Sequence, residues 1–382
     1  MGFSAGFIDL PRYLSWLGHT QFRILCAIAS FVMALTVAIS CSTVPERNPQ
    51  FDEVPEPQGS VLNFFKSLLR SVRKLPDQVR KVCMVQLFAW IGWFPFLFYI
   101  TTYIGEIYAE PFFEANPHMT DKEIDKVVEE GTRVGAFALL IFAITTFLAS
   151  VFLPFFIQPA FQSPPTPPRT PMAVSTPMSG SGYIGLKRPR AGHQTFSQRC
   201  SSFFTRLQIP GFTLRRAWMF SHLIFAALMW STFFVRNTLG GTIIVALVGI
   251  PWALTQWAPF ALISSEIAKR EAIRRGILRP VTADGELIAA GEDTASAEGA
   301  DQAGVVLGIH NVSISAPQVI ANIVSSLIFR WLQKPRGSVG DTSVAWVLRL
   351  GGVCAILAAF YTTRVHEEGE DVVLDERGRR YD

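Results

Sequence analysis

The chain has 382 residues, 49% of them hydrophobic and only 17% charged, where soluble domains carry roughly a quarter charged residues. A formal net charge of +4 is too small for a nucleic-acid surface, and the basic residues fall in short runs between long apolar blocks. The five cysteines, Cys26, Cys41, Cys83, Cys200 and Cys354, form no CxxC pair, which argues against a metal site or a disulfide framework, and nothing calls for a cofactor.

Residues 1–20 lack both the basic start and the sustained apolar core of a cleavable signal peptide. A helix needs about 20 mostly apolar residues to cross a bilayer. Seven stretches meet that requirement, approximately 21–41, 82–104, 134–157, 216–236, 240–265, 304–329 and 342–362. Repetition at this length predicts an all-α membrane protein, since soluble cores rarely hold such helices in series.

The connecting segments alternate in charge. Segment 42–81 carries Arg47, Lys66, Arg70, Arg73, Lys74, Arg80 and Lys81; segment 105–133 is acidic, with Glu106, Glu110, Glu114, Glu129 and Glu130 among its acids. Segment 158–216 holds Arg169, Lys187, Arg188, Arg190, Arg199, Arg206, Arg215 and Arg216 and no acid, and 266–303 opens on Lys269, Arg270, Arg274, Arg275 and Arg279. Cytoplasmic loops collect Lys and Arg near helix ends. Segments 42–81, 158–216, 266–303 and the tail from Arg364 are therefore expected in the cytoplasm; Arg330, Lys334 and Arg336 in the short loop 330–341 dissent. The Pro-, Ser- and Thr-rich stretch 163–200 reads as a disordered loop, and 281–300 as an acidic linker.

Polar side chains inside a span must find partners or face a cavity. In 82–104, Gln86, Trp90 and Trp93 are spaced i, i+4 and i+7 and share a face, either beside a cavity or in ordinary packing; Pro95 predicts a kink. In 240–265, Gly249, Pro251 and Pro259 predict a broken helix around Trp252, Thr255 and Gln256. Gln256 can donate and accept, as sugar hydroxyls require, and Trp252 offers a ring that can stack on a pyranose; interhelical hydrogen bonding by Gln256 is the alternative. In 304–329, Asn311, Ser315, Gln318 and Asn322 repeat at i, i+4, i+7 and i+11 and predict one polar stripe, lining a path or a helix contact. His310 beside it is a candidate proton carrier or a packed histidine. Asn311-Val312-Ser313 matches a glycosylation sequon at membrane depth, where it should not be used. His222 reads as structural, and Arg349 as a snorkelling or paired cation in the last span.

Three strings, AWIGWFPFLFYITTYIGE from Ala89, GIPWALTQWAPFALIS from Gly249 and LGIHNVSISAPQ from Leu307, resemble the seventh, tenth and eleventh helices of the fungal α-glucoside and sucrose transporters. That family is the glycoside–pentoside–hexuronide branch of the major facilitator fold. Ile100 and Thr102 stand where plant sucrose symporters have aspartates, which favours the fungal branch. The resemblance implies proton-coupled transport of sucrose, maltose or a related α-glucoside by alternating access, without enzymatic chemistry, in the plasma or vacuolar membrane. It implies substrate contacts from Gln86, Trp90, Trp93, Trp252, Thr255, Gln256, Asn311, Ser315, Gln318 and Asn322, and proton coupling by His310. On it, 1–41 is a remnant of the N-terminal bundle holding the sixth helix of twelve. Then 42–81 is the central cytoplasmic loop, 82–363 the C-terminal six-helix bundle with disordered loops at 158–214 and 266–303, and 364–382 a cytoplasmic tail. Such a chain is expected to be an incomplete and inactive carrier. A seven-helix receptor shares the topology but would need an extracellular cysteine pair; a membrane sensor or interaction protein derived from a transporter is a third reading.

Overall fold

The computed structural model describes residues 13–18, 21–43, 75–158, 207–278, 280, 283–290 and 299–366. The 163–200 loop, residues 44–74 of the central loop at 42–81 and the tail beyond 366 lie outside the described residues. The described residues are helical, with no strand among them. The helices are α1 (Gln21–Thr43), α2 (Asp77–Ala115), α3 (Asp121–Phe152), α4 (Leu214–Ser231), α5 (Thr238–Arg274), α6 (Ala283–Ala290), α7 (Gly299–Ser315), α8 (Pro317–Leu332) and α9 (Ser343–Thr362).

Helix starts follow the local sequence. Thr120 and Glu123 form a reciprocal capping box at α3. The Asn237 side chain accepts from the Gly240 amide at 2.8 Å to open α5, and the Thr213 hydroxyl accepts from the Arg216 amide at 3.4 Å to open α4. Six of the seven expected spans are realised as stretches long and apolar enough to cross a membrane, α7 and α8 together making one of them. The remaining one, expected over 216–236, is the 18-residue α4, whose first turn is polar because it holds Arg215 and Arg216. At 39 and 37 residues, α2 and α5 reach about 58 and 55 Å, well beyond the roughly 30 Å of a bilayer's hydrocarbon core. They therefore project past it.

Packing is closest where side chains vanish. α2 packs on α9, α3 and α5; α3 packs on α5; α4 packs on α9 and α5. At the α2–α9 crossing a Cβ on Gly92 would sit 2.5 Å from the Gly351 carbonyl oxygen, and a Cβ on Gly351 2.9 Å from that of Gly92. Gly249 of α5 likewise abuts α3, where a Cβ would lie 2.9 Å from the Phe142 oxygen and the Thr146 nitrogen. Small residues at crossings let backbones approach in the way lipid-embedded helices use for cohesion. Around these crossings the core is aromatic, with Trp93, Phe96, Trp218 and Phe225 all essentially inaccessible.

Two sequence expectations are corrected. α5 is not broken at its prolines: it runs on through Pro251 and Pro259. It packs against α2, α3 and α4, the setting in which membrane helices tolerate proline. The 304–329 span remains one apolar stretch, Val306–Leu332, in which Ala316 keeps helical dihedrals and only the hydrogen bonding changes at Pro317. Ala316 still donates to the Val312 carbonyl at 2.9 Å, but Pro317 has no N–H to offer Ser313 and instead opens α8. The segment 266–303, read as loop, is helical to Arg274, over 283–290 and again from Gly299.

A candidate ligand path along three helices

α2, α5 and α7 bring together the polar and aromatic groups singled out in the sequence. Gln86 of α2 and His310 of α7 are both fully buried, with their Nε2 atoms 3.1 Å apart. One nitrogen must donate and the other accept, so the arrangement has the Gln86 amide N–H donating to the imidazole Nε2. His310 then carries its proton on Nδ1. That Nδ1, and the Gln86 Oε1, are buried without a hydrogen-bond partner. The Phe260 ring of α5 closes the third side, edge-on to the imidazole at 4.6 Å. The Ser313 hydroxyl donates to the His310 carbonyl at 2.6 Å and ties down the turn that carries the histidine.

One turn along α2 the path becomes aromatic. Trp90 and Trp93 meet Trp252 of α5 at 5.9 and 4.9 Å between centroids, both edge-on. Trp93 also lies against Phe225 of α4 at 4.1 Å, and Trp252 against Phe142 of α3 at 6.3 Å. The Trp90 indole nitrogen is buried without a partner. Numbers rising along α2 meet numbers falling along α5, so these two helices are antiparallel and the amide–imidazole pair and the indole cluster form successive levels between them.

Of the expected contact residues, Gln86, Trp90, Trp93 and Trp252 are thus assembled with His310. Thr255 is buried but donates its hydroxyl to the Pro251 carbonyl, at 3.0 Å within its own helix. Gln256, Asn311, Ser315, Gln318 and Asn322 are all exposed. The stripe on 304–329 therefore keeps its outward face past Pro317, without a helix of the described residues covering it. One residue in contact with these groups, Phe260, carries no signal separating it from the chain's 31 phenylalanines.

Arg349 and His222 find their surroundings away from this path. Arg349 donates from Nε to the Thr232 hydroxyl at 3.1 Å and from Nη2 to the Thr232 carbonyl at 3.2 Å, with its guanidinium 3.7 Å from the Phe233 ring centroid. This fixes the end of α4 to α9. His222 is buried beside Trp218, their rings 5.3 Å apart.

No family model matches the chain. It is 32% identical over 385 residues to the general alpha-glucoside permease of Schizosaccharomyces pombe, covering 94% of this chain and 63% of that protein. It is 28% identical over 199 residues to an MFS-type transporter, cctQ, of Talaromyces islandicus, covering 51% of this chain and 71% of the relative. A shorter match, 31% identical over 140 residues, is to the sucrose transport protein SUT1 of Oryza sativa subsp. japonica, covering 36% of this chain and 23% of the relative. The chain spans less than two thirds of the length of the permease it matches along most of its own.

Proposed function

Because this chain is a multi-pass membrane relative of the sugar permeases of the major facilitator superfamily, we propose that it takes part in moving sucrose, maltose or a related α-glucoside across a membrane, coupled to protons. The observation that carries the reading is a buried cluster of uncharged groups, an amide–imidazole pair beside an indole cluster, which holds polar atoms without partners. Uncharged donors and acceptors next to flat aromatic faces suit a neutral polyhydroxylated ligand, as most small-molecule sites pair apolar walls with a few placed polar groups. His310 is the proposed proton-coupling residue, since imidazole is the side chain that exchanges a proton near neutral pH.

We further propose that Gln256, Asn311, Ser315, Gln318 and Asn322 face the same pathway. An uncovered polar stripe is costly in hydrocarbon. A second bundle against this face would complete a cavity of the kind that rocks open to either side. On this reading the 382-residue chain, expressed by itself, inserts in membranes and does not transport. Radiolabelled sucrose and maltose uptake tests both parts in cells lacking sugar carriers. The chain alone gives uptake no higher than empty vector, whereas a fusion to the helices preceding the aligned region of the Schizosaccharomyces permease gives saturable, protonophore-sensitive uptake. Saturable uptake by the chain alone, or none by a well-expressed fusion, refutes the proposal.

A further inference from the structure

The chain leaving α9 is held against the start of α2, at the end of the bundle that reads as cytoplasmic. Val365 is buried in the same core as Val79 and Val82 of α2. His366 follows, and the side chain of Gln78, itself buried, pairs with its backbone on both edges. The His366 amide donates to the Gln78 Oε1 at 2.9 Å, and the Gln78 Nε2 donates to the His366 carbonyl at 3.3 Å. A primary amide can satisfy one residue's donor and acceptor together, as a neighbouring strand would. This clasp joins α2 to the exit of α9 across 288 positions of sequence.

The ring of His366 brings a titratable group to this joint. Its Nε2 lies 3.0 Å from the Lys81 Nζ and 3.6 Å from the Asp77 Oδ2. An ammonium has only donors, so the 3.0 Å contact is a hydrogen bond when the imidazole is neutral and offers Nε2 as acceptor. Asp77 is already shared: Arg80 holds its Oδ1 and Lys81 its Oδ2, each at 2.6 Å. Arg364, two residues before His366, places its guanidinium over the rings of Phe360 and Tyr361, 4.8 and 5.3 Å from their centroids. From α4, Arg215 donates to the carbonyls of Thr363 and Val365 at 3.0 and 3.3 Å. Among the described residues, Asp77 is thus the acid set against Arg80, Lys81, Arg364 and Arg215 around this joint.

We propose that His366 is a proton-operated latch between α2 and the exit of α9. Neutral, it accepts from Lys81 and the clasp is closed. A proton on Nε2 abolishes that bond and sets a second cation 3.0 Å from the ammonium. What it offers in return is a carboxylate that two cations already hold. The ring then leaves Lys81, and the exit of α9 loosens from α2. Imidazole is the side chain whose charge ordinarily changes between about pH 5 and 8, so the latch works across the range of cytoplasmic acidification. Proton-coupled uptake delivers protons to this face, and the latch reports their accumulation to the bundle; this last consequence rests on the transport proposed above, whereas the latch itself does not.

The His366 amide is its own reporter, because it is the donor to Gln78. Hydrogen–deuterium exchange of the full 382-residue chain in detergent micelles is read by mass spectrometry over the peptide that ends α9. Exchange is corrected for its intrinsic pH dependence and compared at about pH 7.5 and about pH 5.5, which bracket the imidazole range. Opening of this peptide rises about tenfold at the acid pH in the parent chain, the equivalent of one hydrogen bond to a charged group. It does not rise in H366Q, which keeps the backbone clasp and cannot titrate, nor in K81M, which removes the cation that the protonated ring must leave. Q78L, which takes away the clasp, opens the peptide at both pH values. No rise in the parent, a rise of equal size in H366Q, or one undiminished in K81M overturns the proposal. So does opening that falls on acidification, which would mean that Asp77 captures the protonated ring. None of these readings needs transport, so failure of the latch and failure of the sugar proposal are seen separately.

Discussion

Replacing Gln86 by leucine tests the path at its most buried point. The substitution keeps the volume and removes the one hydrogen-bond partner that the described residues give the His310 Nε2, leaving both ring nitrogens of a fully buried imidazole unsatisfied among them. Orphaning a buried polar group costs about 1–3 kcal/mol. The mirror change, His310→Phe, leaves the Gln86 amide with neither its donor nor its acceptor matched and carries a similar cost. Replacing both partners by apolar groups is far gentler, because no polar atom is then stranded. The double variant Gln86→Leu/His310→Phe is therefore expected to be less destabilised than the sum of the singles, with an interaction energy of about 1–2 kcal/mol. Thermal unfolding in detergent reads this as a loss of several degrees for each single and recovery of much of it in the double, at about 2–4 °C per kcal/mol for a domain of this size. Singles that simply add would show that the two side chains do not meet, and the path as described would lose its first level.

Gly92→Ala should destabilise the bundle by about 1–3 kcal/mol, since its Cβ would lie 2.5 Å from the Gly351 oxygen and must push α2 from α9; an unchanged melting temperature contradicts that crossing. In the transporting fusion, Gln256→Ala or Asn311→Ala should weaken apparent sugar affinity about tenfold, by leaving a substrate hydroxyl unpaired; uptake curves that superimpose on the parent at equal surface expression would assign both residues to packing. A tag inserted within 163–200 should be shielded from protease added to intact cells, because segment 158–216 holds eight basic residues and no acid; cleavage from outside reverses the topology.

The helical membrane architecture was legible because the spans are long, apolar and repeated, and the Gln86–Trp90–Trp93 face because its spacing is a matter of helical geometry alone. What the sequence could not resolve was whether the prolines of α5 break it. Pro251 and Pro259 are buried in a helix packed against α2, α3 and α4, and α5 runs through both. That setting is tertiary and leaves no local mark. The partner of Gln86 was likewise hidden, 224 positions away along the chain. The partner of Arg349 was hidden for the same reason, because Thr232 is one of many threonines until α4 and α9 are set side by side.

Coupling is the core of the functional account, and sugar-driven proton movement measures it directly. Cells expressing the fusion protein are suspended in weakly buffered medium, and external pH is followed on adding sucrose or maltose. The account predicts a sugar-dependent alkalinisation that is lost in His310→Gln while sugar binding, read by quenching of tryptophan fluorescence, persists. Sugar uptake without any accompanying pH change, or an alkalinisation of equal size in His310→Gln, would contradict it.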